Sequence, residues 1–567
     1  MKENLRTFAI LLIGGLAVWF FTQRNHSRSS PSLRNPAPVL AETARPAEQT
    51  FRVRSPLTAA RSGFDAEVTT RSGGLRSLRL NGAQFAMRDA PLDPRTGQRG
   101  SDPRMNLAST WNEDILSLRT ELTVKRGEGT VVPPYVDYTG RQVSEREVEL
   151  TWTGNEIEVV RKYRSDRPFT MEVETTVHNL GGPINVEARV PVYQWVLRAD
   201  ENGKFFQRPW QVGEGICRHG TELYREGRDK LLERRPEDAL PGAATFASLG
   251  NTYFELAVVP RGDNGEARCR LFAEDRGPDD EPLGSVYGAS VGWARTSLAT
   301  GESKTFQATV YLGPKEPDTL AAVTPDKRLT DTVNLGFFSF IARQLLRFLR
   351  FLHSIVGNWG AAIMLLTLCI RVALLPLLAK SMKSMAMMAK LKPELDEINT
   401  RLADNPEAKT LATMELYRKN GVNPLSGCFP QLAQLPIWWA LYTTLQTSVE
   451  LFHAPFVFWW HDLSAPDPYY VLPLVLGAIM FLQQKLMPPQ GMDPVQAKMM
   501  TYFFPIFLTG ISLFLPSGLA LYMLVNSCLG VLQQWYTKKQ MDQYKSGTGT
   551  GGGEAIQVKT LTGDNRG

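Results

Sequence analysis

Arg371 stands inside "IMLLTLCIRVALLPLLAK" (Ile363–Lys380), a run otherwise apolar enough to cross a bilayer. A guanidinium is neither a general base nor a nucleophile, because it stays charged and only donates hydrogen bonds. Its chemistry is the reception of negative or polar groups. Placing it within a span costs about 2.5–3.5 kcal/mol on insertion scales. A salt bridge to a neighbouring span would offset that cost, but the other predicted spans hold no Asp or Glu. The nearest acid is Glu450, at the outer end of the third span, whereas Arg371 lies ~18 Å of helical rise beyond Trp359, in the cytoplasmic half. Two explanations stay open: the side chain snorkels to the headgroups, or it lines a hydrated cavity in a helix bundle. Residues suited to such a cavity are Thr367, one turn before Arg371, and Tyr522, Asn526 and Gln533 at i, i+4 and i+11 of the last span. Gln431 and Gln434 join them from the third span. Each alone is accounted for by an interhelical hydrogen bond. Beside an arginine without an acid they define a candidate polar groove.

Other chemistries lack their residues. No P-loop glycine-lysine pattern is present, so the sequence offers no nucleotide-hydrolysing site. The five cysteines, Cys217, Cys269, Cys369, Cys428 and Cys528, have no metal or redox spacing. Cys217 and Cys269 read as free thiols, with a pair as the alternative if their domain is exported. His178 and His219 have no acidic neighbour in sequence that would make a catalytic pair. Neither a cofactor nor a metal is expected. A net charge of +6 over 567 residues, with no dense basic stretch interleaved with aromatics, argues against nucleic-acid recognition.

The elements that must position Arg371 follow from hydropathy. "FAILLIGGLAVWFF" (Phe8–Phe21) reads as an uncleaved signal anchor within 1–22, and the Ser/Pro/Ala-rich 23–50 as a tether. Period-two segments such as "EVELTW" (Glu147–Trp152), "FTMEVETTV" (Phe169–Val177), "INVEARVPVYQWV" (Ile184–Val196) and "TFQATVYL" (Thr305–Leu312) predict a β-sandwich over 51–330. An interfacial amphipathic helix with Arg343, Arg347 and Arg350 falls within 331–358. The core, 359–537, contains predicted spans near 359–379, 428–449, 469–487, 501–515 and 517–535. Between the first two lies a helical hairpin, 380–422, turning at "ADNPE". Its Met382, Met385, Met387 and Met388 supply an adaptable apolar surface suited to greasy partners of varied sequence. A disordered tail follows over 538–567. The fold class is therefore a multi-pass α-helical membrane protein of six spans with a large all-β extracytoplasmic sandwich domain.

Loop charge sets the orientation. Lys380, Lys383, Lys390, Lys392, Arg401, Lys409, Arg418 and Lys419 crowd the hairpin, whereas 450–468 holds no Lys or Arg. The hairpin is thus predicted inside, both termini cytoplasmic, and residues 23–356 outside. An anion transporter is a competing reading, but no repeat of broken helices accompanies Arg371.

The last third, about Leu335–Trp535, resembles the YidC insertase family. The resemblance rests on "HSIVGNWG" (His353–Gly360), Thr367 with Arg371, "NPLSGCFPQLAQLPIWWALY" (Asn423–Tyr442), "HDLSAPDPYYVLP" (His461–Pro473) and "PSGLALYMLVN" (Pro516–Asn526). The signal anchor and large β domain match its Gram-negative form, in the bacterial inner membrane with a periplasmic domain. The resemblance implies an insertase and chaperone without enzymatic activity. It would serve nascent membrane proteins, alone or beside the Sec translocon (SecYEG, SecDF) and the ribosome, and would contact membrane lipids. Five core helices would enclose a groove open to cytoplasm and lipid, with Arg371 as its charge, Thr367 beside it and Tyr522 as a lining aromatic. Apolar client segments would slide along the third and fifth spans. Many bacterial relatives carry a second aromatic where this chain has Met523. The β domain would be a supersandwich acting as scaffold or docking surface.

Overall fold

Alternation of apolar and polar residues puts one face of each strand into a core, and a computed structural model assembles the strands accordingly. It describes residues 46–547 except 59–61, 87–101, 109–114, 134, 199–212, 263–265, 277–283, 324–328, 403–404, 422–423 and 487–497; over 377–390, 424–433 and 537–547 it describes backbone only. The predicted signal anchor, most of the tether and the end of the tail lie outside the described residues.

A nine-stranded antiparallel sheet has Phe254–Arg261, Ser303–Pro314, Thr170–Asn179 and Ile157–Arg167 as neighbours at its centre. A six-stranded sheet is built on Ala267–Arg276, Gly284–Trp293 and Ile184–Leu197, and a three-stranded sheet, Thr50–Arg54 to Leu75–Asn81, precedes both. Inward residues of the two large sheets share one core, for example Phe246 and Val258 with Leu271 and Val291. Cys217 and Cys269, one from each sheet, are joined as a disulfide with Cα atoms 6.3 Å apart. This corrects the reading of two free thiols: facing strands 52 residues apart in sequence bring the pair within bridging distance. Two short helices, α1 (Arg228–Leu232) and α2 (Pro317–Val323), edge this domain.

The helical part begins with α3 (Ser339–Val356). Ala342, Leu346, Leu349 and Leu352 bury one stripe of it, while Phe340, Phe351 and Ile355 stay exposed. Gly357, at φ +67°, ends it, its backbone N–H donating a hydrogen bond to the His353 carbonyl. Asn358 then caps α4 (Trp359–Lys390), its Oδ1 accepting from the Ala361 amide at 3.0 Å. α4 does not stop at the predicted Ala379. Lys, Met and Ala over 380–390 favour helix, so the span and the first part of the hairpin form one rod, with Pro376 inside it.

α5 (Lys392–Arg401) and α6 (Pro406–Lys419) follow, the latter capped by Asn405, whose side chain accepts from the Ala408 amide. Then come α7 (Pro424–Thr447), α8 (Val471–Leu486), a π-helical turn (Met499–Phe503) running into α9 (Phe504–Ser512), and α10 (Ser517–Gly547). α10 passes the predicted boundary at 537 because "TKKQMDQY" holds good helix formers. Among the described residues one stretch, Trp359–Pro376, is both long and apolar enough to cross a membrane; Val471–Leu486 and Met499–Ser512 are apolar but shorter.

The β domain and the helices meet at the end of α7. Val449 and Phe452 join the domain's own core, with the Phe452 ring 5.0 Å from Tyr253 and 5.3 Å from Phe254. Beside them Arg350 of α3 donates from Nε to Glu450 Oε1 at 2.8 Å and from Nη1 to Asp318 Oδ2 of α2 at 2.7 Å. Glu450, too far from Arg371 on the sequence reading, therefore serves this junction.

Candidate functional site: the polar cluster around Arg371

Arg371 sits on α4 where α10 crosses it. Its Nη2 donates to the backbone carbonyl of Asn526 at 2.9 Å and its Nη1 to Gln533 Oε1 at 3.4 Å. Asn526 in turn accepts at Oδ1 from Gln434 Nε2 of α7 at 3.3 Å. Three helices are thus linked through Arg371, Asn526, Gln533 and Gln434, and every acceptor is neutral. Among the described residues no carboxylate pairs with Arg371, and its Nε is buried without a hydrogen-bond acceptor. A positive charge solvated by amides keeps its field, whereas a carboxylate partner would have cancelled it.

Packing explains how the guanidinium reaches α10. A Cβ built on Gly530 would lie 3.1 Å from Arg371 Nη2 and 2.9 Å from Gln483 Nε2 of α8. The bare glycine leaves the room that both side-chain ends occupy. Gln483 and Gly530 escaped the sequence reading. An amide inside the apolar α8 was the available signal for Gln483; Gly530 gave none, since a helical glycine looks the same wherever it packs.

The remaining predicted residues differ in their surroundings. Thr367 is buried, and its hydroxyl donates to the Ile363 carbonyl of its own helix at 2.7 Å. Tyr522 is buried among Ile363, Leu366, Leu519 and Leu441, with its hydroxyl toward the Gln434 amide. Both are buried rather than on an open surface. Met523 packs against the same cluster. The side chains of Gln431 and of Met382, Met385, Met387 and Met388 lie outside the described residues; their backbones are helical, in α7 and α4 respectively.

The arrangement suits reversible reception of an acceptor group. A carboxylate brought to ~4 Å from the guanidinium gains about 4 kcal/mol of Coulomb energy at an effective dielectric of ~20, before its desolvation is subtracted. No group of residues that could hold a metal ion is found among the described residues.

Comparison with known proteins agrees in kind across the chain. Residues 351–544 match the family model described as 60Kd inner membrane protein, and residues 78–348 match that of the YidC periplasmic domain. The chain is 36% identical over 487 residues to the membrane protein insertase YidC of Anaeromyxobacter dehalogenans, covering 84% of each chain. It is 44% identical over 401 residues to that of Nitrosococcus oceani, covering 70% of each. Among solved structures, an active YidC insertase with its first transmembrane domain resolved aligns over 87% of this chain and 95% of its own, at 19% identity and a TM-score of 0.36.

Proposed function

This chain belongs to the YidC membrane protein insertase family, and from that premise we propose that its helical core inserts client proteins into the inner membrane through the groove centred on Arg371. The observation that carries this reading is the set of Arg371 partners: a peptide carbonyl and an amide, with no acid among the described residues. A polar or acidic client segment entering from the cytoplasm supplies the missing acceptor. Its apolar segment then moves along α7 and α9 into lipid, driven by burial at ~25 cal/mol per Å². Holding the polar segment beside a charge lowers the barrier without a bond being made or broken.

In this reading α4, α7, α8, the Met499–Ser512 segment and α10 are the five core spans, and a signal anchor within 1–22 makes six. The shorter spans are met by local thinning of the bilayer. Residues 23–356 face the periplasm, α5 and α6 the cytoplasm, and both termini the cytoplasm, as loop charge requires. Met382, Met385, Met387 and Met388 offer apolar contact to arriving segments, and Gln431 adds a further amide to the groove. Nascent membrane proteins are the clients, with the Sec translocon and the ribosome as partners, and lipid as the destination.

The test is an insertion assay with reconstituted protein and a client whose translocated tail carries acidic residues. Arg371→Ala should reduce insertion several-fold, Arg371→Lys should retain most of it, and a client with a neutral tail should be less sensitive. Equal insertion by all three proteins would remove the electrostatic role. Crosslinks from α7 and α9 to a stalled client separate insertion from solute transport, which predicts none.

A further inference from the structure

The connection between α7 and α8 is built in a way that groove chemistry does not require. Its segment "HAPFVFWWHDLSAPDPYY" (His453–Tyr470) holds six Phe, Trp or Tyr residues and no Lys or Arg. Rings in a loop normally turn inward, because burying one stabilises a protein by about 1.5–3 kcal/mol. Here Phe458 is 80% exposed, Tyr469 67% and Tyr470 51%.

The exposed pose is held against the backbone's preference. Phe458 has φ +54° and Tyr470 φ +58°, a region that costs a non-glycine residue about 1–2 kcal/mol. Buried Asp467 supplies the restraint. Its Oδ1 accepts from the Trp459 indole at 3.2 Å and the Tyr469 amide at 3.1 Å, and its Oδ2 from the Leu472 amide at 2.7 Å. Asp462, the other acid, is also tied inward, to the amides of His453 and Ser464.

Position identifies what covers these rings. The loop is fastened to the starting ends of three helices. The Phe456 ring fills the space over Gly360 of α4, 2.1 Å from where a Cβ would stand, and Asn358 Nδ2 donates to the Phe456 carbonyl at 3.1 Å. Asp467 holds the start of α8, and the Ser517 and Gly518 amides of α10 donate to the carbonyls of Ala465 and Leu463. The apolar stretch Trp359–Pro376 begins at this level. The loop therefore lies where hydrocarbon gives way to headgroups, the depth that Trp and Tyr favour.

We propose that Phe458, Tyr469 and Tyr470 form a preorganised anchor in the headgroup layer on the side where α4 begins, with Asp467 as its clamp. The partner surface is lipid. The inference rests on α4 spanning the membrane. By fixing the height of Trp359 it also fixes the depth of Arg371, ~18 Å of rise further along the same helix.

The test uses the full chain in bilayer nanodiscs, with Cys369, Cys428 and Cys528, the cysteines outside the disulfide, replaced by Ser and a nitroxide attached through Phe458→Cys. Leu368→Cys on the exposed side of α4 and Ser297→Cys in the β domain serve as lipid and water references. Power saturation should give position 458 an oxygen-to-nickel-chelate accessibility ratio several-fold above that of 297 and below that of 368. A ratio equal to that of 297 overturns the anchor, and so does protection from both reagents, which would mean a protein covers the rings. A water-like ratio at 368 would instead overturn the membrane placement of α4. Adding Asp467→Asn should move 458 toward the aqueous value. An unchanged depth in that folded variant would refute the clamp.

Discussion

Replacing Arg350 with Met should loosen the β domain from the helical core, and by an amount the geometry fixes. Arg350 contacts two acids of opposite character: the Glu450 side chain is 10% exposed and that of Asp318 83% exposed. An exposed pair contributes about 0–1 kcal/mol, whereas stranding a buried charge costs about 3–5. Burial already pushes the Glu450 carboxyl up, against the pull of Arg350. Without Arg350 the carboxyl escapes the full penalty by taking a proton. From an ordinary Glu value near 4.3, that costs about 3.7 kcal/mol at pH 7 and about 1 kcal/mol at pH 5. Protonation therefore caps the electrostatic loss. The raised carboxyl favours the folded variant at low pH and is lost as pH rises, so Arg350→Met should be much more damaging at pH 7 than at pH 5. Glu450→Gln in the same chain should recover most of the loss, while Asp318→Asn alone should cost less than about 1 kcal/mol. Hydrogen exchange of the amides around Phe452 and Tyr253, measured in nanodiscs at both pH values, reads the junction directly. An Arg350→Met effect no larger than that of Asp318→Asn, or one independent of pH, would refute the reasoning.

Two further outcomes concern the β domain. Cys217→Ser with Cys269→Ser should destabilise it by about 2–4 kcal/mol, since the bridge closes a long loop; thermal unfolding with and without reductant checks this. Asp102 is held down to about 2, chiefly by the Arg104 side chain, so its contribution is complete above about pH 4 and disappears as pH falls toward 2. Because this pair is only partly buried, the effect is discounted to about 1 kcal/mol, and Asp102→Asn should flatten that part of the acid-unfolding curve.

What the sequence made legible was local. Alternation placed strands at Glu147–Gly154, Ile184–Leu197 and Ser303–Pro314 because each strand's own residues decide which face is buried. The pairing of Ser303–Pro314 with Thr170–Asn179 has no such local cause, since it joins segments more than a hundred residues apart. The candidate site divides similarly. Arg371 announced itself by a charge in an apolar run, and Asn526 and Gln533 by sharing a helical face. Gly530 and Gln483 matter only because α8 and α10 approach there. Glu450 looked too distant from Arg371 to matter, and Arg350, a hundred positions away from it, became its partner through folding alone.

Among the described residues, none of the groups that hydrogen-bond Arg371 takes up or releases a proton. The Asn526 carbonyl and the Gln533 amide are the same species in mildly acid and mildly alkaline surroundings, and arginine stays charged throughout. A carboxylate in their place would have made this cluster a titrating site, neutral at one pH and charged at another. On the proposed reading of Arg371 as the receiving charge, that charge is constant, so any change of insertion with pH should follow the carboxyl groups of the passenger.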